Sequence, residues 1–121
     1  MSNSRVSGRL FFKVDGQQYS VSASVSYNLG RPKRESFSSS AHEHFYKEVP
    51  QVPYIEGEVI DNGSLDVAKF MDLSDATITA ELRNGKTVVV RNGWQAGEGT
   101  VNAEESKMPF KFEGQSAEEV K

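Results

Sequence analysis

A strict alternation of apolar and small polar residues runs from Gln18 to Tyr27. Successive side chains of a β-strand point to opposite faces, so this pattern predicts a strand with one buried and one solvated face. The buried face would carry Tyr19, Val21, Ala23, Val25 and Tyr27, and the solvated face Gln18, Ser20, Ser22, Ser24 and Ser26. One side of this strand therefore belongs to a hydrophobic core.

Two-residue turn signals predict two β-hairpins. Asp15-Gly16 follows the β-prone segment from Gly8 to Val14, and Asn84-Gly85 separates the alternating segment Thr77 to Arg83 from Lys86 to Arg91. Both dipeptides tolerate the positive φ angles of a type I′ turn, the usual connection in a two-residue hairpin loop. In the second hairpin, the positions expected to face inward are Ala76, Ile78, Ala80 and Leu82.

The middle of the chain predicts a further strand followed by a short helix. Tyr54 to Ile60 alternates, and Pro50 and Pro53 confine its beginning to a strand start or a sheet edge. Ser64 is placed to cap a helix of about two to three turns. The apolar stripe of that helix would include Val67, Phe70 and Met71.

The remaining segments are less regular. Residues 28–48 hold a basic cluster and a serine run without apolar periodicity, which predicts a long loop or an extended hairpin tip. Val101 to Glu105 and Met108 to Glu113 are expected to pair as a last hairpin. The tail Gln115 to Lys121 is polar and is expected to fray or to dock only on a neighbour.

These elements predict a small, mainly β fold. The chain of 121 residues is long enough to bury about two-thirds of its unfolded surface in one core, so residues 1–121 are expected to form a single domain. About seven or eight strands and one short α-helix favour two packed antiparallel sheets, as a sandwich or a flattened barrel. The residues expected to meet in the core are Leu10, Phe12, Tyr19, Val21, Ile55, Val59, Phe70, Ile78, Leu82, Phe110 and Phe112.

Composition narrows the possible partners. The formal net charge is −3, which argues against a protein whose main task is to grip nucleic-acid phosphates. The chain has no cysteine, so disulfides, thiolate metal sites and cysteine nucleophiles are excluded. We also find no signal-peptide pattern and no apolar run of membrane-spanning length, so secretion by a signal peptide and membrane insertion are not expected.

Candidate sites for chemistry have simpler explanations. His42 and His44 could hold a metal from one strand face, but further ligands are missing nearby and a solvated loop is favoured. Residues 61–66 resemble a calcium loop without its closing glutamate, and a turn with a helix cap explains them. Glu56 and Glu58 share a strand face but have no nucleophile beside them. We therefore expect no catalytic residue, metal or cofactor, and no enzymatic activity.

Several blocks of the sequence resemble the tail tube proteins of Mu-like contractile-tailed bacteriophages, and their order, their spacing and the total length agree as well. The blocks are residues 5–8 with 13–16, 52–57, 75–82 running into 84–87, and 112–114. The resemblance covers most of the chain. It implies two packed β-sheets with a flanking helix, a fold shared with the tubes of other long-tailed phages and of type VI secretion.

The resemblance also implies a structural role in the virion. Such proteins form hexameric rings that stack around a tape-measure protein inside a tail sheath protein, with baseplate and tail terminator proteins at the two ends. Genomic DNA passes through the tube during ejection without specific binding. Assembly is expected in the host bacterial cytoplasm, and the mature location is the virion tail.

A channel for DNA favours particular lining residues. Duplex DNA carries a negative charge about every 1.7 Å along its axis, so a cationic lining would bind it strongly. A carboxylate about 10 Å from a phosphate repels it by only about 0.4 kcal/mol in water, and salt weakens this further. The Glu56 and Glu58 face is the slightly preferred lining, and the face with Ser20, Ser22 and Ser24 is the alternative.

The long polar segment is the candidate contact between subunits. Its charged and aromatic residues are expected to be mobile in the free subunit and ordered between rings. They are Arg31, Lys33, Arg34, Phe37, Phe45 and Tyr46. The alternative function is a head-tail connector or another small β-barrel adaptor that would use the same segment to bind its partner.

Overall fold

The structure is a computed structural model that describes residues 10–22 and 24–120. Within these residues the chain forms ten strands and one short helix. The strands are β1 (Phe11–Val14), β2 (Gln17–Tyr19), β3 (Ser26–Asn28), β4 (Lys33–Ser38), β5 (His44–Val49), β6 (Tyr54–Ile60), β7 (Ala76–Glu81), β8 (Thr87–Gln95), β9 (Lys107–Glu113) and β10 (Ser116–Val120), and the helix is α1 (Val67–Met71).

The strands form two antiparallel sheets that share β8, with a separate hairpin of β4 and β5. The first sheet has the order β2-β1-β7-β8-β10, and the second has the order β3-β6-β9-β8. The apolar faces of both sheets enclose one core. The predicted mainly β fold is confirmed. The prediction allowed a sandwich or a flattened barrel, and in the structure the sheets do not close into a barrel.

Strand β8 changes sheets near its end. Residues 87–91 pair with β10, and residues 87–90 and Gly93 pair with β7, whereas Trp94 and Gln95 pair with β9. Asn92, two residues before the change of sheet, has a φ of 52°, a conformation that asparagine tolerates better than most residues. Gly93 follows it, where a Cβ atom would lie 2.5 Å from Cδ1 of Ile78. These two residues let the strand turn the corner at a bulge.

The alternating segment from Gln18 to Tyr27 also contributes to both sheets. β2 pairs with β1 in the first sheet, and β3 pairs with β6 in the second. Val21 lies opposite Val59, but Ser26 lies opposite Glu56, so the register shifts between them. The predicted inward residues Tyr19, Val21, Val25 and Tyr27 do pack on the core. Ala23 and the start of the first hairpin at Gly8 lie outside the described residues.

The two predicted turns are confirmed as hairpin turns, with one difference. Asp15 and Gly16 have φ angles of 50° and 85°, as a two-residue type I′ turn requires. At the second turn only Gly85 has a positive φ, and the amide of Leu82 donates to the carbonyl of Lys86. This is a three-residue loop rather than the predicted two-residue loop.

The helix is shorter and starts later than predicted. Asp66, not Ser64, is the N-cap, because its carboxylate accepts a hydrogen bond from the amide of Lys69. The Ser64 hydroxyl instead donates to the Asn62 side chain. The helix has five residues, and Phe70 is its buried residue. Its function in the fold is therefore to place the Phe70 ring over the core.

Two predictions about the C-terminal part were wrong. Residues 101–105 form no strand and make only a bridge between Asn102 and Lys107, while β9 pairs along its whole length with β6. The tail was expected to fray, but residues 116–120 form β10, which pairs with β8. Ala117 of that strand packs against the core. Lys121 lies outside the described residues.

The core is built around four phenylalanine rings. The centroids of Phe12 and Phe110 are 4.8 Å apart, and those of Phe70 and Phe112 are 5.5 Å apart. Most predicted core residues are buried, but Leu10, Tyr19, Val21 and Leu82 are only partly buried. The predicted core omitted Val14, Val88, Val90 and Met108, which the structure buries. The structure also buries Ala76 and Ala80, which were predicted to face inward.

Candidate assembly surfaces

The outer face of the second sheet brings the two candidate channel linings together. Ser26 lies directly opposite Glu56 on the neighbouring strand. Ser24, Glu56 and Glu58 line the same shallow depression, together with Pro109 of β9. Ser24 and the two glutamates were predicted as alternative linings, but they lie on one surface.

The remaining serines of this set differ in exposure. Ser20 is exposed and its carbonyl accepts a hydrogen bond from the amide of Ile60, at the end of β6. Ser22 donates its amide to the carbonyl of Glu58, but its side-chain oxygen is buried. That oxygen has no hydrogen-bond partner among the described residues. Ser22 thus adds no hydroxyl group to the outer face.

The same face also carries a cation that was not among the predicted lining residues. Lys111 of β9 lies opposite Glu56. Its ammonium nitrogen is 3.7 Å from the Glu113 carboxylate and 4.5 Å from the centre of the Tyr54 ring. The position of Lys111 between Phe110 and Phe112 in an alternating segment already indicates an outward side chain. Glu56 and Glu58 therefore belong to a mixed surface rather than to a purely acidic one.

The long polar segment forms a two-stranded hairpin whose two faces are both exposed. Six residue pairs join β4 to β5, from Lys33 with Val49 to Ser38 with His44. On one face the rings of Phe37 and Phe45 stack with centroids 5.6 Å apart, although they remain 51% and 45% exposed. Aromatic rings this exposed are unusual on a surface that contacts only water.

Polar contacts organise the other face of the hairpin. The guanidinium of Arg34 lies 4.9 Å from the centre of the Tyr46 ring and 3.7 Å from the Glu48 carboxylate. On the face that carries Phe37 and Phe45, the ammonium nitrogen of Lys47 lies 4.0 Å from the Glu35 carboxylate. Each of these exposed pairs contributes only about 0–1 kcal/mol. The six predicted contact residues thus lie on one hairpin, with Arg31 and Lys33 at its root.

The root of the hairpin is held firmly. Gly30 has a φ of 79°, and a Cβ atom there would lie 2.7 Å from the Pro53 ring. The side-chain amide of Gln51 donates to the Arg31 carbonyl, and the Asn28 side chain accepts from the amide of Gly30. These contacts fix the direction in which the hairpin leaves the second sheet.

The discounted metal motifs have local explanations. The carboxylate of Asp61 accepts from the amide of Gly63, as in an ordinary Asx turn. His44 contacts the Ser38 hydroxyl across the hairpin. Over residues 10–22 and 24–120, no group of three His, Cys, Asp or Glu residues could hold a metal ion. Likewise, no helix in this part of the chain has the length and apolar character needed to cross a bilayer.

Several solved structures are similar to this chain in fold. A chain from the sheath-tube complex of the extracellular contractile injection system PVC has 14% identity and a TM-score of 0.65, over 99% of this chain and 98% of that chain. The sheath/tube terminator of PVC has 12% identity and a TM-score of 0.67, over 93% and 94%. Hcp1 from Flavobacterium johnsoniae has 16% identity and a TM-score of 0.59, over 91% and 93%.

The sequence itself gives the family. No individual curated protein matches the chain with significance. A family model described as phage tail tube protein, however, matches residues 3–119, which is nearly the whole chain. The fold agrees with that match, since the similar structures include a tube complex and a tube terminator. The protein belongs to the phage tail tube protein family.

Proposed function

We propose that this protein forms hexameric rings that stack into the tail tube of a contractile-tailed phage and conduct DNA during ejection. The family match over residues 3–119 carries this proposal. The likeness to a chain of a sheath-tube complex over nearly its whole length supports it. A single domain spanning residues 1–121 fits both observations. The role is structural and non-enzymatic.

The outer face of the second sheet is our candidate channel lining. It presents Glu56, Glu58 and Ser24 in one depression, with the exposed Ser20 at the end of β6, and its cation Lys111 lies beside Glu113 and Tyr54. Because the ammonium group is already engaged with a carboxylate, it is less available for phosphates. Such a surface lets DNA pass without binding it.

The hairpin of β4 and β5 is our candidate for the contact between successive rings. It extends from the sheets as a separate unit, and its stacked aromatic pair is exposed. The partners would be further copies of the chain, a tail sheath protein, a tape-measure protein, and baseplate and terminator proteins. The location would be the virion tail, after assembly in the host cytoplasm.

A closed single ring is the second candidate. The likeness to the terminator of PVC is as strong as the likeness to its sheath-tube complex, and a terminating ring does not polymerise. A connector at the head-tail junction would behave in the same way. A connector of this kind would be a sandwich adaptor, because the sheets do not close into a barrel.

Electron microscopy of the purified protein separates these candidates. A tube protein should form filaments of stacked rings, whereas a connector or terminator should stop at one ring. Deletion of residues 36–44 should leave a folded subunit that does not stack, because it removes the tip of the hairpin but no core residue. Long, normal tubes of the deletion variant would show that the hairpin is not the stacking element.

A further inference from the structure

The sequence holds three Asn-Gly dipeptides, at residues 62–63, 84–85 and 92–93. In such a dipeptide the backbone nitrogen of glycine can attack the side-chain carbonyl of the asparagine before it, because glycine has no Cβ atom to obstruct the approach. All three asparagines are exposed. The structure surrounds the three pairs with different groups, so they are not expected to react equally.

Asn62 and Gly63 lie in an open turn between β6 and α1. The amide of Ser64 donates to Oδ1 of Asn62 at 3.1 Å and closes a ring that contains the Gly63 nitrogen. The electrophile and the nucleophile are therefore held on one short turn, and proximity of this kind removes much of the entropic cost of an attack. The space where a Cβ atom of Gly63 would lie is open, so water can reach the reacting atoms.

Two donors polarise the side-chain carbonyl of Asn62. The Ser64 hydroxyl donates to Oδ1 at 2.6 Å, in addition to the Ser64 amide. Negative charge develops on this oxygen when a nucleophile adds to Cγ, and donors aimed at such an oxygen stabilise the transition state. The two donors of Ser64 thus act as a small oxyanion hole.

A carboxylate lies on the proton that the nucleophile must lose. Oδ1 of Asp61 accepts a hydrogen bond from the amide of Gly63 at 3.0 Å. A general base must lie within hydrogen-bond reach, about 2.6–3.2 Å, of the group whose proton it removes. Asp61 meets this requirement. Its own amide donates to the Ser106 carbonyl, which anchors the residue beside the turn.

The dipeptide at residues 84–85 has no such base. The amide of Gly85 donates to the backbone carbonyl of Leu82 at 3.1 Å, which is a neutral acceptor. Oδ1 of Asn84 accepts from the amide of Lys86 at 3.0 Å. The same exposed dipeptide is therefore present in this chain with a turn of its own but without a carboxylate on the nucleophile.

The dipeptide at residues 92–93 is protected by the sheet. Nδ2 of Asn92, the group that would have to leave, donates to the Asp75 carboxylate at 2.8 Å. Gly93 is buried and pairs with Ala76, and a Cβ atom there would lie 2.5 Å from Cδ1 of Ile78. The backbone at this position has no room to rearrange for an attack.

We propose that Asn62 is a site of self-modification, at which the Gly63 nitrogen displaces the side-chain amide with Asp61 as the base and Ser64 as the oxyanion donor. The Gly63 nitrogen forms a bond to Cγ of Asn62. Its proton passes through the Asp61 carboxylate to the departing amide nitrogen, which leaves as ammonia. Water then opens the resulting cyclic imide at either of its carbonyls. The products are aspartate and isoaspartate at position 62, and the reaction needs no second copy and no cofactor.

The reaction changes the surface before α1 in one direction only. Either product adds a carboxylate next to Asp61, and isoaspartate also inserts one additional carbon atom into the backbone ahead of the N-cap Asp66. A chain with a formal net charge of −3 thereby gains one more negative charge. Aged protein should contain this more acidic species, which isoelectric focusing separates.

Peptide mapping by mass spectrometry measures the reaction at each asparagine. In folded natural protein kept in a mildly alkaline buffer, Asn62 should convert at least about ten-fold faster than Asn84, and Asn92 should be the slowest. In concentrated urea the three rates should approach one another, because the hydrogen bonds of the turns are lost. An isoaspartyl methyltransferase should label position 62, since direct hydrolysis of the side chain would give aspartate alone.

Two substitutions identify the groups that act on Asn62. D61N keeps the shape of the side chain but removes its negative charge, and it should slow the conversion of Asn62 about ten-fold or more. S64A removes the hydroxyl donor and should slow it several-fold. Conversion of Asn84 in the same samples is the matched control and should not change, and unfolding of a variant would show itself as faster conversion of Asn92. Unchanged rates at Asn62 in both variants, or equal rates at Asn62 and Asn84 in the folded natural protein, would overturn the proposal.

Discussion

The hydroxyl of Tyr27 donates a hydrogen bond to the carboxylate of Glu119 and so joins an edge strand of the second sheet to the last strand of the first. The ammonium group of Lys86 lies 3.4 Å from the same carboxylate oxygen. Glu119 faces the core side of β10, because it pairs with the buried Val88. The three side chains form a polar clasp between the sheets.

Substitution Y27F should lower the free energy of unfolding by about 1–2 kcal/mol, because it removes a partly buried hydrogen bond to a charged group. The matched control is E118Q on the same strand. Glu118 is exposed and forms an ion pair with Arg91. Loss of that ion pair should lower the free energy of unfolding by less than about 1 kcal/mol. Urea unfolding of the two variants measures both changes. Equal effects would show that the clasp contributes no more than a surface ion pair.

Alkaline pH should destabilise the fold through two tyrosines. The hydrogen bond to Glu119 and then burial raise the pKa of Tyr27, and burial and then nearby carboxylates raise that of Tyr19. The folded state therefore keeps protons that the unfolded state releases near pH 10. This stabilisation is complete below about pH 10 and is lost as the pH rises through the raised folded pKa values. Thermal unfolding from pH 8 to 11 should show a smaller loss for Y19F/Y27F than for the natural protein.

Substitution G93A should destabilise the corner of β8. The new methyl group would lie 2.5 Å from Cδ1 of the buried Ile78, and overpacking of this kind costs about 1–3 kcal/mol. Replacing Ile78 by valine removes that carbon. The double variant G93A/I78V should therefore be more stable than the two single effects predict, as a double-mutant cycle measures. If the effects of the two substitutions simply add, the strain caused by G93A lies in the backbone rather than in the contact with Ile78.

The double substitution E56K/E58K should slow DNA ejection. Each subunit changes by four charge units, and ring symmetry repeats the change around the channel. Phosphate contacts weaken as salt rises, so the defect should ease at higher salt. The matched control E81K/E118K makes the same change in charge on the outer face of the first sheet. Normal ejection from well-formed E56K/E58K particles at low salt would place these glutamates outside the channel.

The sequence predicted the parts of the fold that depend on local pattern. The alternation of apolar and polar residues in Tyr54–Ile60 and Ala76–Glu81 predicted both strands and their inward faces. It could do so because each strand has one buried and one solvated side. The pattern could not predict where the chain changes sheets. The segment from Gln18 to Tyr27 alternates through its change of sheet, since Tyr19, Val21, Val25 and Tyr27 all pack on the same core.

Strand β10 was missed for a different reason. Ala117 is its one core-facing apolar residue, and Glu119 on the same face is paired with Tyr27 and Lys86. No local pattern distinguishes such a strand from a polar tail, because its partners lie far away in the sequence. The common face of Ser24 and Glu56 was missed similarly, since it depends on the pairing of β3 with β6.

The passage of β8 through both sheets has a mechanical consequence. In a sandwich held only by side-chain contacts, a shearing force can make one layer slide over the other. Here most of β8 is bonded into one sheet and its end into the other, so sliding must either stretch the covalent backbone or break the ladder on one side of the change of sheet. A subunit built in this way transmits a load between its layers as a single elastic body.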